Sequence, residues 1–229
     1  MTKTTYTHAS KALLSLAGET RHSVSKLNTL TIVRHGQTDW NKVGKFNSCT
    51  NLELSSEGIS LCHSLAQRYQ GLLDTQTTIV SSPLTRCIQT AEALFPGVDL
   101  STDPNIREMD FGGFEGLSPK ELRENGHSKE LEAWRSSEVD DPVLEVETVH
   151  NVLERAKCFF DTNNFADQSV LLVTHGVFSR ILISASMGLN PLLYRSLRLD
   201  NCKCAQVQNE DDQPRLILLN SLPSSGIGE

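Results

Sequence analysis

Two histidines stand in the same sequence context. His35 and His175 each follow a predicted buried strand, over residues 30–33 and 169–174, and each is followed by a glycine. The carboxyl ends of strands form the ligand-binding edge of an open α/β sheet. A glycine at this point allows a sharp turn and a close approach of backbone to ligand. The repeated pattern predicts that both imidazoles face one pocket.

An arginine and a glutamate can reach the same edge. Arg86 lies in the first turn of a helix that Pro83 opens, just after a predicted strand over residues 77–80. A cation at that end of a helix opposes the helix dipole, so its placement indicates a bound anion. Glu108 begins a glycine-rich loop. Beside a bound phosphate, like-charge repulsion would favour its protonated form, and it could act as a general acid. Pairing of Glu108 with an arginine, or a merely solvated Arg86, is the structural alternative.

The elements that position these residues alternate between strand and helix. This order predicts a three-layer α/β/α fold with a mostly parallel central sheet. The last two strands are joined by a short acidic turn, which predicts an antiparallel edge. A small lid, formed by residues 42–51 and 115–141, is expected over the carboxyl edge of the sheet. The predicted strands are 30–33, 77–80, 98–101, 169–174, 204–208 and 216–219, and the predicted helices are 56–69, 84–95, 148–160 and 177–187.

Length and composition predict one catalytic domain. The chain has 229 residues, of which 38% are hydrophobic, enough for a substantial core. Residues 29–229 are therefore assigned to a single domain. Residues 1–28 are rich in Ser, Thr and Lys and are expected to form a flexible or loosely docked extension.

Charge, hydropathy and cysteine use exclude several functions. A net charge of -7 leaves no broad basic face for nucleic acid. The apolar runs are far shorter than the ~20 residues of a membrane span. The six cysteines, in a chain without an apolar leader, are expected to be reduced thiols of a cytoplasmic protein. Cys202 and Cys204 lack the second ligand pair that a zinc site needs, so no metal is expected.

Four motifs together carry a family resemblance. In this order and context the chain resembles the histidine phosphatase superfamily, also called the phosphoglycerate mutase-like family. The resemblance runs from about residue 30 to at least residue 188. The motifs are RHGQTDWN at 34–41, SPLTRCIQTA at 82–91, REMDFG at 107–112 and THG at 174–176.

The resemblance implies a covalent mechanism without metal or cofactor. His35 would be the nucleophile that is transiently phosphorylated. Arg34, Arg86 and His175 would surround the three equatorial oxygens, where negative charge accumulates in the transition state. Glu108 would protonate the leaving oxygen and later accept a proton from the attacking water.

The resemblance also assigns neutral donors to the phosphate. Asn41 is expected to add a hydrogen bond to it. Asn47 and Ser48 replace a serine or threonine-glycine pair of the mutases, and both are predicted to bind substrate or phosphate.

Several departures favour the phosphatase branch. Mutases carry a tyrosine where Phe111 stands and an asparagine where Val177 stands. The short segment between residues 108 and 148 has no paired arginines for a second acidic group. Residues 145–148 read EVET where phosphatase relatives show Gly-Gly-Glu-Ser, so the cap hydroxyl is kept and the glycine turn is lost.

The resulting expectation is a metal-independent phosphatase acting on a small phosphorylated metabolite. A phosphoglycerate mutase-type phosphotransferase is the first alternative. A protein phosphatase acting on phosphohistidine or phosphoserine is the second, and a non-catalytic phosphate-binding relative is the third. The substrate and the oligomeric state are left open.

Overall fold

A six-stranded sheet forms the centre of the computed structural model, which describes residues 8–136, 143–211 and 213–224. Its strands are β1 (Thr29–Arg34), β2 (Thr77–Ser81), β3 (Ser101–Thr102), β4 (Ser169–Thr174), β5 (Cys204–Glu210) and β6 (Gln213–Ser221). They are arranged in the order β3-β2-β4-β1-β5-β6. The first four strands run parallel, and β5 and β6 form an antiparallel edge, which confirms the predicted fold class.

Helices cover both faces of the sheet. They are α1 (His8–Ser25), α2 (Asp39–Lys42), α3 (Ser56–Gln70), α4 (Thr85–Leu94), α5 (Pro119–Glu124), α6 (Ser128–Ser136), α7 (Val149–Thr162) and α8 (Gly176–Ser186). Neighbouring strand residues point to opposite faces. Ile32 and Leu172 therefore join the core under α1, α7 and α8, whereas Val33 and Val173 join the core under α3 and α4. No helix among the described residues is long and apolar enough to cross a membrane.

Side-chain caps fix where three of the helices begin. The hydroxyl of Ser55 accepts from the N–H of Gly58 and starts α3. Ser118 and Glu121 form a reciprocal capping box on α5, and Thr148 caps α7. Each cap satisfies a backbone N–H that the first turn leaves unpaired. The predicted starts of α3 and α7 are confirmed to within one residue.

The amino-terminal segment is not a flexible extension from His8 onwards. Helix α1 packs on α7 and α8, and Leu13, Leu16 and Val24 on its inner face are buried. Their spacing is that of one helical face, which overrides the polar composition of the segment. The prediction for residues 1–28 is therefore wrong for this helix, and residues 1–7 lie outside the described residues.

The third strand is shorter and later than predicted. The sequence indicated residues 98–101, but β3 contains only Ser101 and Thr102, which pair with Val80 and Ser81. Gly97, with φ of 78°, turns the chain after α4, and the residues up to Leu100 return it to the sheet without strand pairing.

The two predicted lid segments are joined to each other. Phe46 forms a parallel bridge with Glu115, and its carbonyl accepts from the N–H of Gly116 at 2.9 Å. Helices α5 and α6 continue from this bridge over the carboxyl edge of the sheet. The predicted lid also includes residues 137–141, which lie outside the described residues.

Candidate active site

Strand register brings the two histidines together. Arg34 on β1 is paired with Thr174 on β4, so His35 and His175 leave neighbouring strands at the same level. The N–H of His35 still donates to the carbonyl of Thr174 at 2.9 Å. The two imidazole rings lie edge to face with centroids 5.2 Å apart. The structure therefore brings the two histidines together, as the sequence predicted, although only the ring of His35 lines a cavity at this edge.

A cavity of about 520 Å³ opens at this edge, and we call it the edge cavity. Predicted site residues that line it are Arg34, His35, Asn41, Asn47 and Glu108. Two others, Arg86 and His175, are fully buried and do not line it. The edge cavity therefore meets the first imidazole directly, while the second imidazole and the second arginine lie in the protein interior.

His35 is a neutral imidazole with one defined proton. Its Nδ1 lies 2.7 Å from the carbonyl oxygen of Gly36, which can only accept, so Nδ1 carries the proton. Burial, followed by the charges of Arg86 and Arg34, holds the pKa of His35 well below its ordinary value. The remaining nitrogen, Nε2, thus keeps its lone pair and can act as a nucleophile.

The turn after His35 is held by hydrogen bonds with Asn201 and Thr90 and by close packing against Cys62. Asn201 donates to the carbonyls of His35 and Gly36 at 2.9 and 3.2 Å. Thr90 accepts from the N–H of Gly36 at 2.8 Å. A Cβ on that glycine would lie 2.9 Å from the sulfur of Cys62. Close packing is therefore the structural requirement for this glycine, where the sequence suggested a sharp turn. The braces from Asn201 and Thr90 were not predicted, because neither belongs to the histidine motif.

Two arginines near His35 have no acidic partner. Arg34 donates to the carbonyl of Leu199 at 2.8 Å, and Arg86 donates to those of Ser48 and Thr50 at 2.8 and 3.0 Å. The Nε of each arginine is buried without a hydrogen-bond partner. Among the described residues neither guanidinium forms an ion pair, and burial lowers the pKa of both. Such uncompensated cations favour an anion at this site.

His175 is also neutral and is held by α4 and the strand before it. Its Nε2 lies 2.8 Å from the hydroxyl of Ser82 and 3.4 Å from the sulfur of Cys87. Burial and the charge of Arg86 keep the pKa of His175 well below its ordinary value. Burial raises the pKa of the Cys87 thiol to about 12, so this sulfur stays protonated.

The carboxylate of Glu108 lies at the amino terminus of α8. Its Oε1 accepts from the N–H groups of Met109 and Phe178 at 2.9 Å each, and its Oε2 accepts from that of Val177 at 3.0 Å. The N–H groups of Val177 and Phe178 belong to the first turn of α8, where they have no partner within the helix. The alternative, an arginine paired with the Glu108 carboxylate, is not what the structure shows. Arg155 donates to the backbone carbonyl of Glu108 and not to its side chain.

The three predicted neutral donors differ in their placement. Asn41 lines the edge cavity, and its Oδ1 accepts from the N–H of Thr38. Asn47 is buried with neither amide atom partnered, and it also lines the cavity. Ser48 does not line it, because its hydroxyl donates to Glu115 at 2.6 Å. The geometry therefore assigns Ser48 to bracing the lid, which corrects its predicted phosphate-binding role.

The turn for which phosphatase relatives use glycine is formed here by residues with left-handed backbone. Leu144 and Glu145 have φ values of 47° and 61°. The backbone of Glu145 passes so close to Gly112 that a Cβ there would lie 2.5 Å away. After this turn Glu147 pairs with Arg155 at 2.9 Å. The turn expected from glycine in relatives is retained here at the cost of strained backbone.

Two aromatic rings and two further arginines, Arg135 and Arg180, also line the cavity, and none of them was among the predicted site residues. Trp134 on α6 packs edge to face on Phe111, with centroids 6.1 Å apart, and both residues line the cavity. Arg180 on α8 lines it as well. It lies four residues after Gly176, so the helical period places both on one face of α8. This spacing could have indicated from the sequence alone that Arg180 lies on the same face of α8 as Gly176.

The metal-ligating residue types are scattered in the described part of the chain. Across 8–136, 143–211 and 213–224, no group of three or more His, Cys, Asp or Glu side chains could hold a metal ion. All six cysteines are free thiols.

Comparisons with known proteins define the class. Residues 30–222 match the model of the histidine phosphatase superfamily (branch 1). The chain is 30% identical over 188 residues to a probable phosphoglycerate mutase of Proteus mirabilis, covering 79% of this chain and 84% of that protein. It is 29% identical over 215 residues to a 2-carboxy-D-arabinitol-1-phosphatase of Triticum aestivum, covering 89% of this chain and 43% of that longer protein.

A solved relative has the same fold. Phosphoserine phosphatase from Entamoeba histolytica, solved with 3-phosphoglyceric acid, superposes with a TM-score of 0.70 at 26% identity, covering 84% of this chain and 96% of that one. The chain therefore belongs to the histidine phosphatase superfamily, and the predicted family is confirmed. It is an enzyme of that superfamily, and these relatives are named both as phosphatases and as mutases.

Proposed function

We propose that the protein is a phosphatase that hydrolyses a small phosphomonoester through a transient phosphohistidine at His35. One observation carries the proposal: the neutral imidazole of His35 lines the edge cavity, and near it lie Arg34 and Arg86, which form no ion pair among the described residues. A phosphoryl group is the anion that needs both a nucleophile and concentrated positive charge.

The first step forms the phosphohistidine. Nε2 of His35 attacks phosphorus while the bond to the ester oxygen breaks in line. As the general acid, Glu108 gives a proton to the departing oxygen, and the alcohol leaves. Its Oε2 accepts from Val177 alone, so this oxygen has room for the proton. Arg34 and Arg86 neutralise the charge on the equatorial oxygens.

The second step returns the enzyme. A water molecule attacks phosphorus, the bond to Nε2 breaks, and the carboxylate of Glu108 takes the proton of the water. Inorganic phosphate leaves with one oxygen from water. The chain's own arginines supply the charge stabilisation, so this proposal includes no metal or cofactor.

Two residues favour hydrolysis over phosphoryl return. Phe111 and Val177 line the edge cavity with apolar side chains, where mutases of the family place a tyrosine and an asparagine. A mutase must hold its phosphohistidine while an intermediate turns over, which needs further polar contacts. The names of the relatives support a small substrate, since they specify 2-carboxy-D-arabinitol 1-phosphate and phosphoserine. The cytoplasmic location expected from the sequence stays a prediction.

Phosphate release from a panel of phosphorylated metabolites tests the function. The panel includes phosphorylated hydroxy acids, amino acids, sugars and a phosphopeptide, each measured with and without EDTA. The proposal expects release from small esters at undiminished rate in EDTA. Release from the phosphopeptide alone, or activity that EDTA removes and one divalent ion restores, would contradict it.

A further inference from the structure

Arg180 lines the edge cavity and has no role in the proposed chemistry. Arg180 is part-buried on α8, and within the described chain it forms no ion pair. Its Nε donates to the carbonyl of Gly176 at 2.9 Å, and Nη1 lies 3.4 and 3.3 Å from the carbonyls of Tyr194 and Leu197. No hydrogen bond involving Nη2 occurs among these contacts. Nη2 is therefore the donor that Arg180 can offer to a ligand.

The position of Arg180 is fixed by its surroundings. Its guanidinium stacks over the ring of Tyr194 at 5.5 Å, and the three carbonyls hold the other edge. Burial lowers the pKa of Arg180, which reflects the cost of keeping this charge away from water. A rigid, partly desolvated guanidinium loses little entropy when it binds an anion.

Arg180 lies beside the proposed phosphoryl site. A Cβ on Gly176 would lie 3.1 Å from the Cζ of Arg34, and the carbonyl of the same glycine accepts from Arg180. The two guanidinium groups thus contact one residue from different sides. The positive charge of Arg180 is close enough to act on Arg34 by lowering its pKa. An anion on Arg180 would therefore lie within a few bonds of a phosphoryl group on Arg34.

We propose that Arg180 determines specificity by binding a carboxylate of the substrate, placed within a few bonds of the phosphate ester. This inference rests on the proposed phosphatase function. One guanidinium with one available nitrogen matches the single charge of a carboxylate, whereas a phosphate dianion calls for more donors than Arg180 has left. The apolar rings of Phe111 and Trp134 lower the polarity of the cavity and strengthen such a charge pair.

Matched substrate pairs test the inference. Phosphoserine is compared with phosphoethanolamine, which lacks only the carboxylate, and 3-phosphoglycerate is compared with glycerol 3-phosphate. Wild-type enzyme is expected to favour the carboxylate-bearing member of a pair by about 10- to 100-fold in kcat/KM. In Arg180→Gln that preference is lost, mainly through a higher KM, while the carboxylate-free member and p-nitrophenyl phosphate keep their rates.

Two further variants make the result interpretable. Arg180→Lys keeps the charge and is expected to recover part of the preference, and it replaces Arg180→Gln if that variant fails to fold. Arg215→Gln, on the distant exposed hairpin where Arg215 pairs with Glu210, should keep the wild-type preference.

Three results would overturn the carboxylate role while leaving phosphatase activity standing. In the first, the wild type hydrolyses both members of each pair at the same rate. In the second, the Arg180 variants lose activity on both members equally. In the third, the enzyme favours a bisphosphate over its monophosphate, and this preference depends on Arg180. Failure of the proposed function itself is distinct, because then no ester, including p-nitrophenyl phosphate, releases phosphate.

Discussion

His175 faces His35 with ring centroids 5.2 Å apart and ring planes inclined by 63°. Two charged imidazoles would repel each other at this distance, and Arg86 adds a further positive charge that lowers the pKa of both. The pair is therefore neutral in the free protein. The neutral ring of His35 therefore keeps a lone pair on Nε2 that can attack phosphorus.

Neither imidazole should titrate near neutral pH. In NMR titrations of the free protein between about pH 5.5 and 7.5, around the ordinary histidine pKa of ~6.5, the ring protons of His35 and His175 should keep their chemical shifts. Spectra of His35→Ala and His175→Ala assign the signals. A midpoint near ~6.5 for either ring would contradict the neutral pair.

The lowered pKa values of His35 and His175 should make the folded protein less stable as the pH falls. Because the folded pKa values are lowered, the unfolded chain takes up protons first as the pH falls below ~6.5. The free energy of unfolding should then fall by about 1.4 kcal/mol per pH unit for each such histidine. Urea unfolding of wild type and His175→Gln at pH 7 and pH 5 checks this, and parallel curves would show that the pKa of His175 is not lowered.

The role assigned to Glu108 predicts a dependence on leaving group. Glu108→Gln cannot protonate an alkoxide, so hydrolysis of an alkyl phosphate should fall by about 10²- to 10⁴-fold. Hydrolysis of p-nitrophenyl phosphate should fall far less, because nitrophenolate leaves without a proton. Steady-state rates on both esters serve as mutual controls. Equal losses would make Glu108 structural, or would transfer its role to Asp110.

Most regular elements and the local motifs could be predicted from the sequence. Strands β1 and β4 are continuous apolar runs, and their parallel register alone brings His35 and His175 together. Helix α1 was missed because its many polar residues hide a narrow buried stripe that includes Leu13 and Val24. Composition describes all sides of a helix, whereas packing depends on one.

Contacts between distant segments were less predictable. Ser48 was assigned to phosphate, but Glu115, 67 residues away, takes its hydroxyl. Asn201 braces the turn after His35 from 166 residues away. Arg180 carries no motif of its own, and only the path of α8 places it in the edge cavity. Such pairings depend on how loops meet in space, which spacing along the chain does not specify.

The strained turn before α7 predicts a stabilising substitution. Glu145 has φ of 61°, a conformation that costs an L-residue roughly 1–2 kcal/mol and glycine very little. Glu145→Gly should therefore be neutral or up to about 1 kcal/mol more stable, after the added entropy of the unfolded chain. Glu92→Gly, in the interior of α4, should cost about 1 kcal/mol in urea unfolding. Equal destabilisation by both would show that residue 145 is not strained.

Hydrolysis should outpace phosphoryl return to a second alcohol. The reason is the apolar Phe111 and Val177 at the edge cavity, which offer no side-chain hydrogen bonds to retain a departing intermediate. With 3-phosphoglycerate and the bisphosphate present, conversion to 2-phosphoglycerate should be negligible beside phosphate release from the preferred monoester. Phosphorus NMR follows both products in one tube, and rapid isomerisation with little free phosphate would assign the protein to the mutases.

Direct capture of the phosphoenzyme tests the central claim. Wild-type enzyme mixed with its best ester is quenched within one turnover in alkali, where phosphohistidine survives, and its peptides are mapped by mass spectrometry. We expect a phosphoryl group on His35 of the wild type. In His35→Ala the phosphoryl group should be absent and turnover should fall by orders of magnitude. His63→Ala, which changes an exposed position of α3, should be phosphorylated on His35 like the wild type. A phosphoryl group on another residue, or His35→Ala retaining more than a few per cent of wild-type turnover, would contradict it.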